Sequence, residues 1–441
     1  MSHSLMRWGM AALAALAIAG CGGGGDSTPV APPGASVRDQ INAAAAVPGN
    51  DSATNTSSAF TVVQNAGVTA ITVPATGAAK VNFSVFSDGK VVSNLATSNV
   101  SFAISKLIPA ANGNPDQWVN YISRIESTAS APNNVGSGPN STPVMATATQ
   151  ATTDPKMSTT TLAALGLSSQ LVYNADGYYT YQFQANIKDP AWAATVSNVK
   201  YLTNGVVFEP GKTHRLVIQL SYKNAAGETV LVNPYIDFTV DADGKSVFVT
   251  DPSKTRKMAD VSSCNGCHEK LALHGGGRVD TQYCVMCHNP GTTDANSGNN
   301  LNMATMVHKI HSGRLLADPV RSPGGEHYQI WGFGGSKHDY AEVGFPQDLR
   351  NCARCHTASN PATPQGDNWK KVVSKEACLT CHATGTGSAW LTSHTPFVNG
   401  GNPLNLTNSQ CATCHVGPIS SERVHWNQNE ENAAKYKMNI E

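Results

Sequence analysis

The sequence predicts a protein of two unlike parts: an N-terminal antiparallel β-sandwich or Greek-key barrel, then a domain of short helices and loops built around cofactors. Three observations favour this. Apolar and polar residues alternate in several stretches before residue 256, five C-x-x-C-H repeats lie after it, and long apolar runs are scarce among the repeats. We expect an export signal over 1–20, a flexible tether over 21–58, a β domain over 59–255 and a cofactor-binding domain over 256–441.

The first segment is typical of an exported bacterial lipoprotein. Arg7 precedes the apolar stretch GMAALAALAIAG, which is too short for a confident membrane span. Residues 18–21, IAGC, resemble a lipobox, which makes Cys21 the predicted lipidation site. An ordinary secretory signal with an unrelated cysteine is the alternative. The following GGGGDSTPVAPPGAS is rich in Gly, Pro and Ser, so we expect it to be flexible.

Period-two alternation predicts half-buried strands before residue 256. The alternating apolar residues are Val81, Phe83 and Val85; Val100, Phe102 and Ile104; Tyr179, Tyr181, Phe183, Ala185 and Ile187; Leu216, Ile218 and Leu220; and Ile236, Phe238 and Val240. The Asp-Gly pairs in SDGK (87–90) and DADGK (241–245) favour tight turns. A polar run from about 127 to 160 predicts a long surface loop. His214 leads one predicted strand, far from the repeats, and is expected to be structural.

The charge balance argues against a nucleic-acid partner. Acidic and basic residues are equal in number, at 30 each, and no basic run of five or more occurs. Proteins that bind the phosphate backbone usually carry a basic patch. We therefore look for function in the cysteine-rich part.

The repeats are CNGCH (264–268), CVMCH (284–288), CARCH (352–356), CLTCH (378–382) and CATCH (411–415). This pattern is typical of covalent haem c attachment, in which two cysteines form thioethers and the next histidine binds the iron. The predicted attachment residues are Cys264, Cys267, Cys284, Cys287, Cys352, Cys355, Cys378, Cys381, Cys411 and Cys414, and the proximal ligands are His268, His288, His356, His382 and His415.

Zinc and disulfides are the alternatives to haem. Zinc ribbons need C-x-x-C pairs in twos, and five pairs leave one over. Disulfides closing such short loops five times would be an unusual framework. We therefore expect five haem c groups, whose porphyrin faces replace the apolar core that this part of the chain lacks.

The second axial ligand of each haem separates an electron carrier from a catalyst, because an open iron can bind substrate. Seven histidines of the cysteine-rich part lie outside the repeats. In MVHKIHSG, His308 and His311 would diverge by roughly 60° on a helix, so we expect them to bind two neighbouring haems. Ser312 and Gly313 are expected to end that helix. A core or surface histidine pair is the alternative.

His274, His394 and His425 complete the predicted distal set. His274 precedes three glycines in LALHGGGR, which leave space for a porphyrin edge. We expect it to bind a haem other than that of the adjacent motif. His327 and His338 lie in a glycine-rich stretch and are expected to be spare, and methionine remains an alternative distal ligand.

These segments resemble the OmcA/MtrC family of multihaem outer-membrane cytochromes. The resemblance rests on CNGCHEKLALHGGGR, YCVMCHNP, MVHKIHSG, FPQDLRNCARCH and KEACLTCH, and on SFAISKLIP and DQWVNYIS for the family's β domain. Family members typically carry ten bis-histidine haems in two pentahaem domains, whereas this chain has motifs for five. By resemblance, His274, His308, His311, His394 and His425 match the distal positions.

The resemblance implies electron transfer at the outer membrane toward extracellular metal oxides, soluble metals or flavins. Other multihaem cytochromes, or a porin–cytochrome conduit, are the expected partners. We expect a lipid at Cys21 to anchor the protein at the cell surface; the periplasmic face is the alternative. Two other functions stay open: a multihaem reductase of a small oxyanion with one open iron, and a surface binding module with structural haems.

Overall fold

The computed structural model describes residues 34–111, 113–127, 145, 147–192, 206–320, 325–332, 335–382, 387–398 and 401–415. The strands are β1 (Ile71–Thr72), β2 (Ala78–Phe83), β3 (Phe86–Ser87), β4 (Lys90–Val91), β5 (Val100–Ile108), β6 (Gln117–Asn120), β7 (Ser123–Ser127), β8 (Thr147–Ala151), β9 (Leu171–Asn174), β10 (Tyr178–Asn186), β11 (His214–Lys223), β12 (Thr229–Val232), β13 (Tyr235–Val240), β14 (Ser246–Phe248), β15 (Gln329–Trp331) and β16 (Lys337–Asp339). The helices are α1 (Val37–Ala45), α2 (Ser58–Asn65), α3 (Thr159–Ala164), α4 (Val261–His268), α5 (Thr281–Cys284), α6 (Met303–His311), α7 (Gly313–Ala317), α8 (Lys375–Cys378), α9 (Ala389–His394) and α10 (Asn408–Cys414).

Two antiparallel sheets share one core in the N-terminal part. One sheet has the order β1-β2-β10-β9; the other runs β14-β13-β11-β5-β6, with β12 also paired to β11. Their inner faces bury one apolar cluster, in which the rings of Phe102 and Tyr181 stack with centres 3.9 Å apart. The predicted antiparallel β region is therefore confirmed. The five alternating stretches all contribute strands to it.

The tight turn at SDGK forms as the sequence predicts. Asp88 and Gly89 join β3 to β4, and both have positive φ, at 52° and 74°. Two consecutive residues in that region match the twist of a hairpin, and Asp and Gly tolerate it best.

Two expectations about flexible segments are wrong in part. Within the predicted tether, residues 37–45 form α1, because Ile41 and Ala45 are buried against Val62 and Phe86. Within the predicted loop over 127–160, β8 pairs with β7 to form a hairpin. Cys21 lies outside the described residues.

Strands β5 and β11 are buried on both faces, which period-two alternation does not predict. The outer face carries Ala103 and Val217, which pack against Tyr283 and Met286 of the second C-x-x-C-H segment. The Asn120 side chain also donates a 2.7 Å hydrogen bond to the Met286 carbonyl. The second motif is therefore attached directly to the β sheet.

A buried ion pair extends this attachment. The Arg215 guanidinium, fully buried on β11, donates to both carboxylate oxygens of Asp237, at 2.6 and 2.8 Å. Its third nitrogen donates to Gln282 Oε1 at 2.6 Å, two residues before Cys284. Trp118 and Tyr235 cover the guanidinium, at 4.3 and 4.9 Å from their ring centres. The network joins two strands to the helix that carries the second motif.

Short helices and turns make up most of the remainder, with one small hairpin of β15 and β16. The predicted short-helix part is confirmed. Of the helices in the described ranges, none is both long enough and apolar enough to cross a membrane.

Candidate functional site

Each C-x-x-C-H motif lies on a single tight turn. The first and fifth motifs lie in the last turns of α4 and α10, and the second and fourth begin at the last residue of α5 and α8. The third motif forms a 3₁₀ turn at Cys352–Arg354. In four motifs the histidine N–H bonds back to the carbonyl of the first cysteine, at 2.9 to 3.1 Å; these histidines are His288, His356, His382 and His415. The turn places both sulfurs and the imidazole near one another, as attachment to one porphyrin requires. All ten motif cysteines are free thiols.

Four motif histidines each face one histidine from outside the motifs. The distances between ring centres are 6.1 Å for His268 and His311, 5.9 Å for His288 and His274, 6.0 Å for His356 and His308, and 6.1 Å for His415 and His394. The fold thus places four of the predicted proximal ligands each next to one predicted distal ligand; the sequence did not predict which of them meet.

The spacing of about 6 Å fits one metal ion between two imidazoles. A histidine nitrogen binds a metal at about 2 Å, and the ring centre lies about 1 Å farther, which gives about 6 Å across the ion. Aromatic packing alone also allows this distance. Aromatic packing does not, however, explain why every pair joins one motif histidine to one histidine from outside the motifs.

Backbone carbonyls orient one imidazole in every pair. The Nδ1 atoms of His288, His311, His356 and His394 lie 2.8 to 3.0 Å from the carbonyl oxygens of Leu301, Val307, Met258 and Trp390, in that order. A carbonyl only accepts hydrogen bonds, so Nδ1 carries the proton and Nε2 keeps its lone pair. Metal-binding histidines are commonly oriented this way.

Burial keeps several of these imidazoles neutral. It lowers the pKa values of His288 and His308 to about 4, and it also lowers that of His356. Burial, together with the charge of Arg278, likewise lowers the pKa of His274 to about 4. Neutral imidazole is the form that can bind iron.

His274 reaches its partner through an unusual backbone. It has φ of 52°, and Gly275 and Gly276 after it have φ of 76° and 86°. A histidine in this region is uncommon and somewhat strained, whereas glycine adopts it freely. The left-handed turn carries the ring away from His268 to face His288 of the second motif.

Helix α6 touches four of the motifs. The Met303 N–H donates to the His288 carbonyl of the second motif, and the rings of His308 and His311 face the third and the first. Beyond its C-terminus, Ser312 Oγ donates to the Thr380 carbonyl of the fourth, at 2.7 Å. One nine-residue helix therefore sets the spacing between most of the candidate sites.

The helix ends at His311, as expected, but the predicted role of Gly313 is wrong. Gly313 does not close α6; it begins α7. A glycine is needed there because a Cβ would lie 1.9 Å from the Tyr340 carbonyl oxygen.

Electrostatic interactions between cysteines indicate which motifs are neighbours. Burial raises the pKa values of Cys284, Cys264, Cys352 and Cys378, and the charge of a cysteine in a neighbouring motif adds to each rise. The neighbours are Cys284 with Cys264, Cys264 with Cys355, Cys352 with Cys381, and Cys378 with Cys411. The motifs therefore follow one another in the order second, first, third, fourth, fifth.

The remaining predicted ligands divide into two groups. The spare histidines bond elsewhere: His327 Nδ1 lies 3.2 Å from Asp339, and His338 Nε2 lies 3.2 Å from Ser336 Oγ. His425 lies in 416–441, outside the described residues.

Sequence reasoning missed two kinds of residue at the site. The orienting carbonyls carry no sequence signal, because every residue has one. The cations Arg278 and Arg354, which lie beside the second and first motifs, were also missed. Arg278 ends the HGGGR segment, and that position was the available signal.

Comparisons with known proteins agree with this geometry. Residues 256–426 match the family model of outer membrane cytochromes like MtrC and MtrF, domains II/IV. Over 253 residues the chain is 25% identical to the multihaem cytochrome MtrC of Shewanella baltica (strain OS185), covering 56% of this chain and 29% of that protein. The crystal structure of the outer-membrane decahaem cytochrome OmcA aligns with a TM-score of 0.58 at 25% identity, over 81% of this chain and 48% of OmcA.

The chain thus spans less than half the length of either relative. The paired cysteines, the histidines that face one another and the family match agree on a multihaem c-type cytochrome. Through residues 256–426, this chain is similar to domains II/IV of the OmcA/MtrC-like outer-membrane multihaem cytochromes.

Proposed function

We propose that this protein carries electrons through five covalently attached haems, each bound by two histidines. The observation that supports this most directly is the spacing of about 6 Å in four histidine pairs, which suits two axial ligands on one iron. Haem supplies one-electron chemistry, and two strong ligands leave no position for substrate. The chain's own residues hold the ligands neutral, orient them and exclude water.

The haem of the fourth motif completes the proposed set. His382 is its proximal ligand in this proposal, and His425 its distal ligand. The count supports this: five irons need five distal histidines, and four candidates already face the other motifs.

The spatial order of the motifs supports a relay. Each motif neighbours the next along the order second, first, third, fourth, fifth, so electrons would have a continuous path. One end of the relay is the second motif, where Cys287 is buried under the β sheet. The opposite end is the fifth motif, where Cys414 is exposed, as are Cys267 and Cys381 of the first and fourth motifs. We assign exchange with external acceptors to the exposed end.

The acceptors and partners follow from the family. We assign to this chain transfer toward extracellular metal oxides, soluble metals or flavins, in contact with other multihaem cytochromes or a porin–cytochrome conduit. A lipid on Cys21 would hold it at the outer membrane. Replacing Cys21 by serine should move the protein from the membrane fraction to the soluble fraction with its haem content unchanged.

Low-temperature EPR of the oxidised, haem-quantified protein tests the relay at all irons together. Five haems per chain, all low-spin, are expected. A stoichiometric high-spin fraction would mean an open iron, and the protein would then be a candidate reductase. Fewer than five haems would contradict the count.

A further inference from the structure

Arg354 occupies a variable position of the third motif, yet its side chain reaches the first. Its Nη2 lies 3.8 Å from Cys267 Sγ. The approach depends on Gly266, because a Cβ there would lie 2.3 Å from Arg354 Nη2. The variable residues of two neighbouring motifs are thus fitted to each other.

The charge of this guanidinium is not neutralised within the described part of the chain. Arg354 is absent from the ion pairs of the described residues. Its Nε is buried and has no hydrogen-bond partner there either. Buried donors are nearly always satisfied in native proteins, so an unmet one calls for an explanation. A haem bound at these motifs would supply the neighbour that the protein lacks.

Two other arginines near the motifs are each paired with a carboxylate. Arg215, beneath the second motif, is paired with Asp237. Arg350, two residues before Cys352, is paired with Asp348 at 2.5 Å and is partly exposed. Arg354 is thus an uncompensated positive charge, located between the attachment points of two haems.

We propose that Arg354 is a charge shared by the first and third haem sites, and that it raises the reduction potentials of both. The inference rests on the haem relay proposed above. Reduction adds one electron to an iron, with no bond formed and no proton moved, so the site becomes less positive. A nearby cation favours that state.

The test is an EPR-monitored redox titration of the full-length, haem-loaded protein. In Arg354→Gln, two low-spin components should shift to lower potential while the other three stay in place. Arg350→Gln is the matched control: it removes the same charge near the third motif, but from a residue whose charge is paired with Asp348. It should leave every component within error of the wild type. Arg354→Lys, which keeps the charge, should retain potentials near those of the wild type.

The outcomes distinguish this inference from the relay itself. Unchanged potentials in Arg354→Gln, with five low-spin haems, would overturn the role of Arg354 and leave the relay standing. If the potentials fall as far in Arg354→Lys as in Arg354→Gln, the effect comes from the shape of the arginine side chain and not from its charge. This result would also overturn the proposed role of Arg354. If Arg354→Gln fails to take up haem, the neutral variant Arg354→Met takes its place in the titration: two lowered potentials would support the inference, and unchanged potentials would overturn it. Missing haems or high-spin iron in the wild type would contradict the relay.

Discussion

His308 and His311 lie three residues apart on α6, and their rings face two different motif histidines, His356 at 6.0 Å and His268 at 6.1 Å. A helix turns about 100° per residue, so residues three apart diverge by about 60°. One helix can therefore supply distal ligands to two of the proposed haems and set the separation between them.

Replacing these two histidines one at a time should open two different irons. His308→Ala should convert one haem to high-spin, and His311→Ala a different one, because each removes a separate distal ligand. EPR with haem quantification would measure both. His327→Ala is the control, since that imidazole bonds to Asp339, and it should leave all haems low-spin. Spectra that stay fully low-spin in both variants would show that α6 does not supply these ligands.

Gly313→Ala should destabilise the protein although alanine is the better helix former. Helix propensity alone would favour alanine by about 1 kcal/mol. The new Cβ, however, would lie 1.9 Å from the Tyr340 carbonyl oxygen, and backbone atoms cannot move aside freely. Overpacking of this kind costs about 1–3 kcal/mol, so we expect a net loss in the free energy of unfolding, measured by urea denaturation. Gly211→Ala, with open space around it, should change little; an equal loss in both variants would refute the clash.

Asp237→Asn should be strongly destabilising, because it leaves the Arg215 charge buried without its partner. Breaking such a pair typically costs about 3–5 kcal/mol. Asp348→Asn breaks a partly exposed pair and should cost about 1 kcal/mol or less. Urea denaturation would compare the two. The double change Arg215→Met with Asp237→Leu should recover much of the lost free energy of unfolding. If Asp237→Asn costs no more than Asp348→Asn, the pair has no structural role.

Stability should fall in mild acid through His214. Its side chain is buried, with Nε2 2.9 Å from the Tyr121 hydroxyl, and burial lowers its pKa to about 4 from 6.5. The unfolded chain binds a proton at this histidine below about pH 6.5, whereas the folded chain does so only below about pH 4. The stabilisation is therefore complete above pH 6.5 and is lost as the pH falls toward 4.

Urea denaturation at pH 7.5 and pH 5, followed by circular dichroism of the β region, would measure this loss. His214→Gln cannot titrate, so its stability should fall less between the two pH values. Because the comparison is between two proteins with the same haem ligands, acid effects on the haem sites cancel. Parallel losses in both proteins would exclude His214 as the cause.

Much of the molecule could be predicted from the sequence because its patterns are local. The alternation from Tyr179 to Ile187 indicates a strand with one buried face. The C-x-x-C-H pattern contains, within five residues, all the groups that attachment of one haem requires. The sequence could not show that the outer face of β11 is buried too, since Val217 meets Met286 only in the fold. Nor could it show which histidines meet, because His274 and His288 are brought together by a left-handed turn.

The helix in the predicted tether and the strand in the predicted loop could not be predicted for a related reason. The composition of a segment shows only how much apolar surface that segment itself has, and residues 37–45 have little. Ile41 and Ala45 are nevertheless buried, because Val62 and Phe86 provide a surface that is remote in sequence. In the same way, β8 is a strand only because β7 is available to pair with it.

The burial of Cys287 beneath the β sheet sets an order of events during maturation. This thiol is 8% exposed, and the segment around it is held by Asn120 and by the packing of Met286. A thiol so enclosed is out of reach of any machinery that would join it to a porphyrin. If Cys287 carries a haem as proposed, its bond to the porphyrin would form while the chain is still open, before the second motif docks on the sheet.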